Sequence, residues 1–442
     1  MALALADDTH ESPPPPDPPR ARGSSLAAVP LAAVVTAATL GLIQVVALDA
    51  WAGFRDKTLH EVMIRWDAGW MTKIAELGYF GFSVSPDPEE RVEWQSVAFF
   101  PGYPVLVRIV SAPWAVLGGE HATFAGALVV SAVASLVFAW GIAQLAVDIW
   151  QRRRAASEQK AHQDLSARSR VALAVAVCVL AFGAPMAFIY WMPYSEALFS
   201  ALVVWALVMV LRRRFLAAGV LTLCAGLTRL TVIALLLTLC AVAVVELWKW
   251  SRQRIDFPFA AVAAPAVGSL GIGAYLAWAN RQVADIGGYF AAQKRGWNSE
   301  FDFGAGTLAW VREHPVVRET GDHDAVAYVL STWVIVFAVV LCVASLWPLL
   351  RGWLPWPVWL TAVLVAGSVL GSNGIMHARP RLLLVPVLFL LLPFVVRGVQ
   401  WAASDRPGRV RRGALLAGAG VLWCALGFGI FGWMAVEFRY GI

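Results

Sequence analysis

Eleven long apolar runs punctuate the chain, at residues 26–51, 122–149, 171–191, 195–211, 215–228, 229–247, 258–279, 326–350, 354–371, 380–397 and 413–435. A helix needs about 20 apolar residues to cross a bilayer. Backbone groups in lipid must pair inside helices or closed barrels, and no stretch alternates as barrel strands would. The pattern predicts an all-α, polytopic membrane protein with about eleven transmembrane helices. Residues 102–118, GYPVLVRIVSAPWAVLG, contain Arg108 and Pro113 and read as re-entrant or interfacial. A different period appears in RWDAGWMTKIAELGYF (65–80), where Trp66, Trp70, Ile74 and Leu77 make one apolar stripe. Lys73 and Glu76 lie off that stripe and Gly78 supplies a stop, as expected of a short helix lying on the membrane surface.

Composition agrees: 59% of the 442 residues are hydrophobic and 14% charged, more apolar than a soluble core requires. Residues 1–25 are Pro-rich and polar, too poor in apolar side chains to fold alone, and are expected to form a disordered cytoplasmic tail. Residues 26–442 then form one transmembrane domain. The run at 26–51 is too long for a signal-peptide core and lacks a small-residue cleavage site, so a retained first helix is expected.

The formal charge of +6 reflects basic cytoplasmic loops rather than a nucleic-acid partner. With the N-terminus inside, the basic stretches 151–170, 212–214, 249–254 and 405–412 all fall on the cytoplasmic side. This leaves two long outer segments, 51–121 and 280–325, larger than hairpins need. The five cysteines (Cys178, Cys224, Cys240, Cys342, Cys424) sit in apolar runs and suggest neither a disulfide framework nor a zinc site. No internal repeat is visible, which counts against repeat-built transporters.

The outer segments collect the candidate chemistry. Asp67 opens the surface helix; an acid there caps free N–H groups, and a cap is also an oriented carboxylate able to act as a general base. Glu196 in YWMPYSEALF complements the helix dipole in the same way, beside Tyr194. VAFFPGYPVLVR (97–108) reads as a turn into a membrane-bound helix, or as a groove wall bearing Tyr103. Arg229 interrupts an otherwise apolar stretch, a charge that usually faces a cavity or partner. His377, Arg379 and Arg381 put positive charge at an outer helix start, which something anionic nearby would relieve; guanidinium forks suit phosphate. YFAAQKRGW (289–297) offers Gln293 and Trp297 to a sugar ring, or forms a surface amphipathic helix. GDHDAV (321–326) carries an Asp-x-Asp triplet in an acidic loop, and no metal or other cofactor is expected.

In this order, RWDAGWMTKIAELGYF, AFFPGYP, PYSEALF, LTR, the Gln- and Trp-bearing loop and the Arg-bearing helix start resemble the PIG-V family of mannosyltransferases in the GT-C superfamily. The resemblance runs from about residue 26 to 400. The chain departs from it at Met71, where many relatives carry Tyr, and at Leu230-Thr231-Val232, where relatives often carry a polar or Pro-Asn-Gly continuation. It implies a multi-span enzyme that takes mannose from a polyprenyl-phosphate carrier on the non-cytoplasmic face, inverting the anomeric centre. Asp67 matches the presumed catalytic position. Arg65, Trp66, Trp70, Glu76, Tyr103, Tyr194, Glu196, Gln293 and Trp297 are then expected to contact substrate, and Arg229, His377, Arg379 and Arg381 the donor phosphate. The implied partners are the lipid-linked donor, a lipid- or glycan-linked acceptor and membrane lipids, in the cell membrane. Two rival expectations stand beside this one: a GT-C enzyme for another polyprenyl-phosphate sugar, and a transporter of lipid-linked sugars.

Overall fold

The computed structural model describes residues 27–80, 82, 93–119, 121–155, 166–253, 256–317, 323–404 and 407–438. The expected tail at 1–25 lies outside them, as does Asp322 of the Asp-x-Asp triplet. Among the described residues the chain is helical throughout, with one antiparallel bridge between Phe301 and Ser372.

Helix α1 (Ala28–Gly53) leads through α2 (Leu59–Met63) to the surface helix α3 (Asp67–Leu77) and to α4 (Gly102–Val116). The run of long helices resumes with α5 (Ala122–Ala155), α6 (Ala167–Phe182), α7 (Glu196–Leu211), α8 (Phe215–Gly226), α9 (Ile233–Gln253) and α10 (Phe259–Gln282). Two short helices follow, α11 (Tyr289–Trp297) and α12 (Ala305–Glu313). The chain closes with α13 (His323–Ala344), α14 (Leu346–Leu350), α15 (Trp356–Leu370), α16 (Arg379–Leu382), α17 (Leu384–Ala403) and α18 (Arg409–Val436).

Each predicted apolar run holds a helix. Seven are long and apolar enough to cross a membrane: α1, α5, α9, α10, α13, α17 and α18. Helices α7, α8 and α15 are apolar but shorter, and 102–118 forms a separate amphipathic helix, α4. Burial sorts them into centre and rim. Helix α7 buries twelve of its sixteen residues, as a helix surrounded by others must. Helices α1 and α18 turn Leu31, Leu42, Val46, Val421, Leu422 and Leu426 outward, a large apolar surface that suits hydrocarbon as its solvent.

Side-chain pairs identify two opposite ends of the bundle. At one end the C-terminal turns of α5 and α7 meet through Arg212 and Asp148 (2.9 Å), and Arg213 joins Glu246 of α9. At the other, the chain after α1 meets the C-terminus of α18: Arg55 pairs with Glu437 at 2.6 Å, and Lys57 donates to the Val436 carbonyl. Those carbonyls have no partners within the helix, and cations complement the negative end of its dipole.

Helix α8 packs against α10 with almost no side chain between them. A Cβ at Gly271 would fall onto the Leu223 carbonyl oxygen, and one at Gly226 would lie 2.8 Å from the Ile272 nitrogen. Small residues allow this approach, the usual means of packing helices in lipid. Gly273 of the same helix has open space around it. Gly271→Ala is therefore expected to cost about 1–3 kcal/mol and to lower the unfolding midpoint of the detergent-solubilised chain. Gly273→Ala leaves the midpoint unchanged or raises it, because alanine favours the helix.

Candidate active site

The site begins with how Asp67 is held. Arg65 donates from Nη1 to the Ala435 carbonyl (2.6 Å) and from Nη2 to the Phe438 carbonyl (2.9 Å). Its own carbonyl accepts from the Tyr194 hydroxyl at 3.3 Å. Trp66 then adopts φ +58°, a left-handed conformation costly for a bulky side chain. That turn makes Asp67 the first residue of α3, with its carboxylate directed back toward the bundle.

Three guanidinium and carboxylate groups from distant segments meet it there. Arg381 of α16 places Nη1 2.8 Å from Asp67 Oδ2 and Nε 3.2 Å from Glu196 Oε1. Arg229, in the turn after α8, reaches the same Glu196 oxygen at 2.7 Å and Ser195 Oγ at 3.4 Å. The Arg381 guanidinium also lies over the Tyr194 ring, 5.2 Å from its centroid. The chain of contacts is therefore Asp67, Arg381, Glu196, Arg229, with two charges of each sign. The Arg381 and Glu196 side chains are both 8% exposed, whereas that of Asp67 keeps 24%.

Loss of solvent pushes the Asp67 carboxyl above the usual aspartate range. The adjacent Arg381 pulls it back, Glu196 pushes it further up, and Arg229, beyond Glu196, acts downward.

Three residues beyond Asp67 on α3, Trp70 enters a buried aromatic cluster. Trp70 stacks on Phe99 with centroids 5.6 Å apart, and Trp297 meets both edge-on at 5.8 and 5.5 Å. The Trp297 indole donates to the Gln95 carbonyl at 3.4 Å, fastening α11 to the segment between α3 and α4.

The other candidates are engaged elsewhere. Arg379 donates to Thr307 Oγ1 (2.7 Å), to the Val369 carbonyl (2.6 Å) and to the Ser372 carbonyl, so it ties α12 and the turn after α15 to α16. His377 packs against the Tyr328 and Phe438 rings. Tyr103 is fully buried, its hydroxyl shared with Ser131 (2.7 Å) and the Ala127 carbonyl. Gln293 donates to the Tyr289 hydroxyl at 2.9 Å. Glu76 faces outward, 3.5 Å from Lys73. Arg65 holds α3 to α18 with the guanidinium expected to contact substrate.

No protein-family model matches the chain. No curated protein matches it in sequence. The chemistry of the network is thus the guide to what the site does.

Sequence reasoning missed Ser195, Lys57 and the role of residues 435–438. Ser195 sits next to Glu196 and carried no pattern of its own. The α18 carbonyls are some 370 positions away from Arg65, and backbone acceptors leave no mark in a sequence.

The pairing makes a measurable claim. Difference infrared spectroscopy against Asp67→Asn should show the Asp67 carboxyl protonating at a higher pH than a free aspartate. In Arg381→Gln, which removes the nearest stabilising cation, that transition moves to still higher pH. A transition at or below the ordinary aspartate range would contradict the described environment.

Proposed function

We propose that this chain is an integral-membrane glycosyltransferase that moves a mannosyl residue from polyprenyl-phosphate-mannose to a lipid- or polymer-linked acceptor. The transfer inverts the anomeric centre on the extracytoplasmic face, with the N-terminus cytoplasmic, as the resemblance to the PIG-V family implies. One observation supports the reading above the rest: Asp67, Arg381, Glu196 and Arg229 join in one network at the end of the bundle away from Arg212 and Arg213. The Arg-rich connections at that far end suit the cytoplasmic side.

The reaction needs a base and fixed positive charge. Asp67 takes the proton of the acceptor hydroxyl as its oxygen attacks the anomeric carbon. The bond from that carbon to the phosphate oxygen breaks, and its electron pair leaves with the polyprenyl phosphate. Charge on the phosphate grows during this step, and Arg381 with Arg229 stabilises it. Arg381 has a second part in the cycle. In the resting site it neutralises Asp67; an arriving donor phosphate competes for the same guanidinium and leaves the carboxylate freer to accept a proton. Trp297, half-buried against the Trp70–Phe99 cluster, is the aromatic side chain available to a sugar face.

The purified full chain in detergent, given a panel of synthetic polyprenyl-phosphate sugars, is expected to transfer mannose without a sealed vesicle. Asp67→Asn lowers the rate about 10²–10⁴-fold; full activity in that variant removes Asp67 from the role of base. Transport that needs a sealed vesicle, with no transfer in detergent, overturns the enzyme reading in favour of a transporter. The rate should also fall on its acid side at a pH above the ordinary aspartate range. Protonation disables the base, and the raised Asp67 pKa brings that loss to higher pH.

A further inference from the structure

Two consecutive residues outside the Asp67 network reach both of its far arms. Gly102 is the first residue of α4, where backbone N–H groups lack partners within the helix. Its amide donates at 2.6 Å to the Leu227 carbonyl, at the end of α8 and two residues before Arg229. No side chain fits between them: a Cβ at Gly102 would stand 2.7 Å from that carbonyl oxygen and 3.1 Å from Thr228 Cγ2. Tyr103, fully buried, reaches the other arm. Its hydroxyl meets Ser131 Oγ of α5 at 2.7 Å, and Ser131 donates at 2.6 Å to the Met192 carbonyl, four residues before Glu196. The stretch ahead of α4 is itself fastened. The Tyr275 hydroxyl of α10 is shared between the Val97 and Phe99 carbonyls (2.7 and 2.9 Å), and Tyr79 donates to the Phe99 carbonyl at 2.8 Å.

We propose that Gly102 and Tyr103 are positioning residues: Gly102 sets the turn that carries Arg229, and Tyr103, through Ser131, sets the segment that carries Glu196. Arg229 needs such a support because its own backbone is extended, between the end of α8 and the next helical turn, so neither helix fixes it. A buried carboxylate also tolerates no gap to its cation, so the 2.7 Å Arg229–Glu196 contact requires both backbones to be held. The consequence for catalysis rests on the transferase reading above, whereas the positioning itself is measurable without substrate.

The test is a double-mutant cycle on the purified full chain, read by difference infrared spectroscopy of the Asp67 carboxyl. Arg229 holds that carboxyl down and Glu196 pushes it up. Gly102→Ala, by displacing Arg229, should therefore move the Asp67 transition to higher pH. General loosening would admit water and move it to lower pH. In an Arg229→Gln background the Gly102→Ala shift should vanish, because the group it acts through is gone. Ser131→Ala and Tyr103→Phe each delete one hydroxyl, and they test the second arm even where Gly102→Ala fails to fold. Both should move the transition to lower pH in the parent and leave it unmoved in Glu196→Gln. A shift that persists undiminished in the Arg229→Gln or Glu196→Gln background overturns the corresponding arm, as does the absence of any shift in the parent. In the transfer assay the same variants should lower kcat more than they raise KM for the donor. A parent without transferase activity removes the functional reading, and the infrared cycle still decides the positioning role.

Discussion

Arg381 is the constraint on which the Asp67 end of the bundle depends. A guanidinium this buried is tolerated only when paired, because removing it from water costs several kcal/mol. Its two partners, Asp67 and Glu196, come from segments far apart in the chain. Glu196 needs its own cations and holds Arg229 as well. Removing any one member leaves an opposite charge stranded, so α3, α7, the turn after α8 and α16 are fixed relative to one another. The same network that specifies the geometry holds the partly exposed Asp67 carboxylate beside a buried cation.

That arrangement depends on supports that take no part in the chemistry. Arg65 uses its side chain on the last carbonyls of α18 and its backbone carbonyl on Tyr194. With both ends of the residue held, the left-handed turn at Trp66 can be maintained despite its cost. On the far side Arg379, two residues from Arg381, binds Thr307 and the carbonyls after α15. Asp302 caps α12 by accepting from Gly304 and Gly306, which holds its carboxyl below the usual range. The segment carrying α12 thus acts as a brace for α16.

The sequence made the helical runs legible because lipid leaves the backbone few alternatives, and length with apolarity is nearly the whole signal. Arg229 was legible for the same reason: an isolated charge in an apolar stretch requires a partner. The period of Trp66, Trp70, Ile74 and Leu77 marked α3, and Asp67 at its start followed from capping. The choice between Arg379 and Arg381 was not legible. Both lie in one short basic stretch, and only the third dimension sends one to carbonyls and the other to carboxylates. Tyr103 and Gln293 were polar-looking residues whose hydrogen bonds are satisfied inside the fold.

Helix lengths explain why the network is recessed. At 1.5 Å per residue, α7 rises about 24 Å and α8 about 18 Å, against about 36 Å for α10. Arg212 and Arg213 hold the ends of α7 to α5 and α9 at the basic end. Their opposite ends therefore stop short, and Glu196 and Arg229 sit below the rim that the longer helices raise. Water is scarcer there, which strengthens the ion pairs and raises the affinity of Asp67 for a proton. A short helix beside long ones is enough to convert a charge on the surface into a buried one.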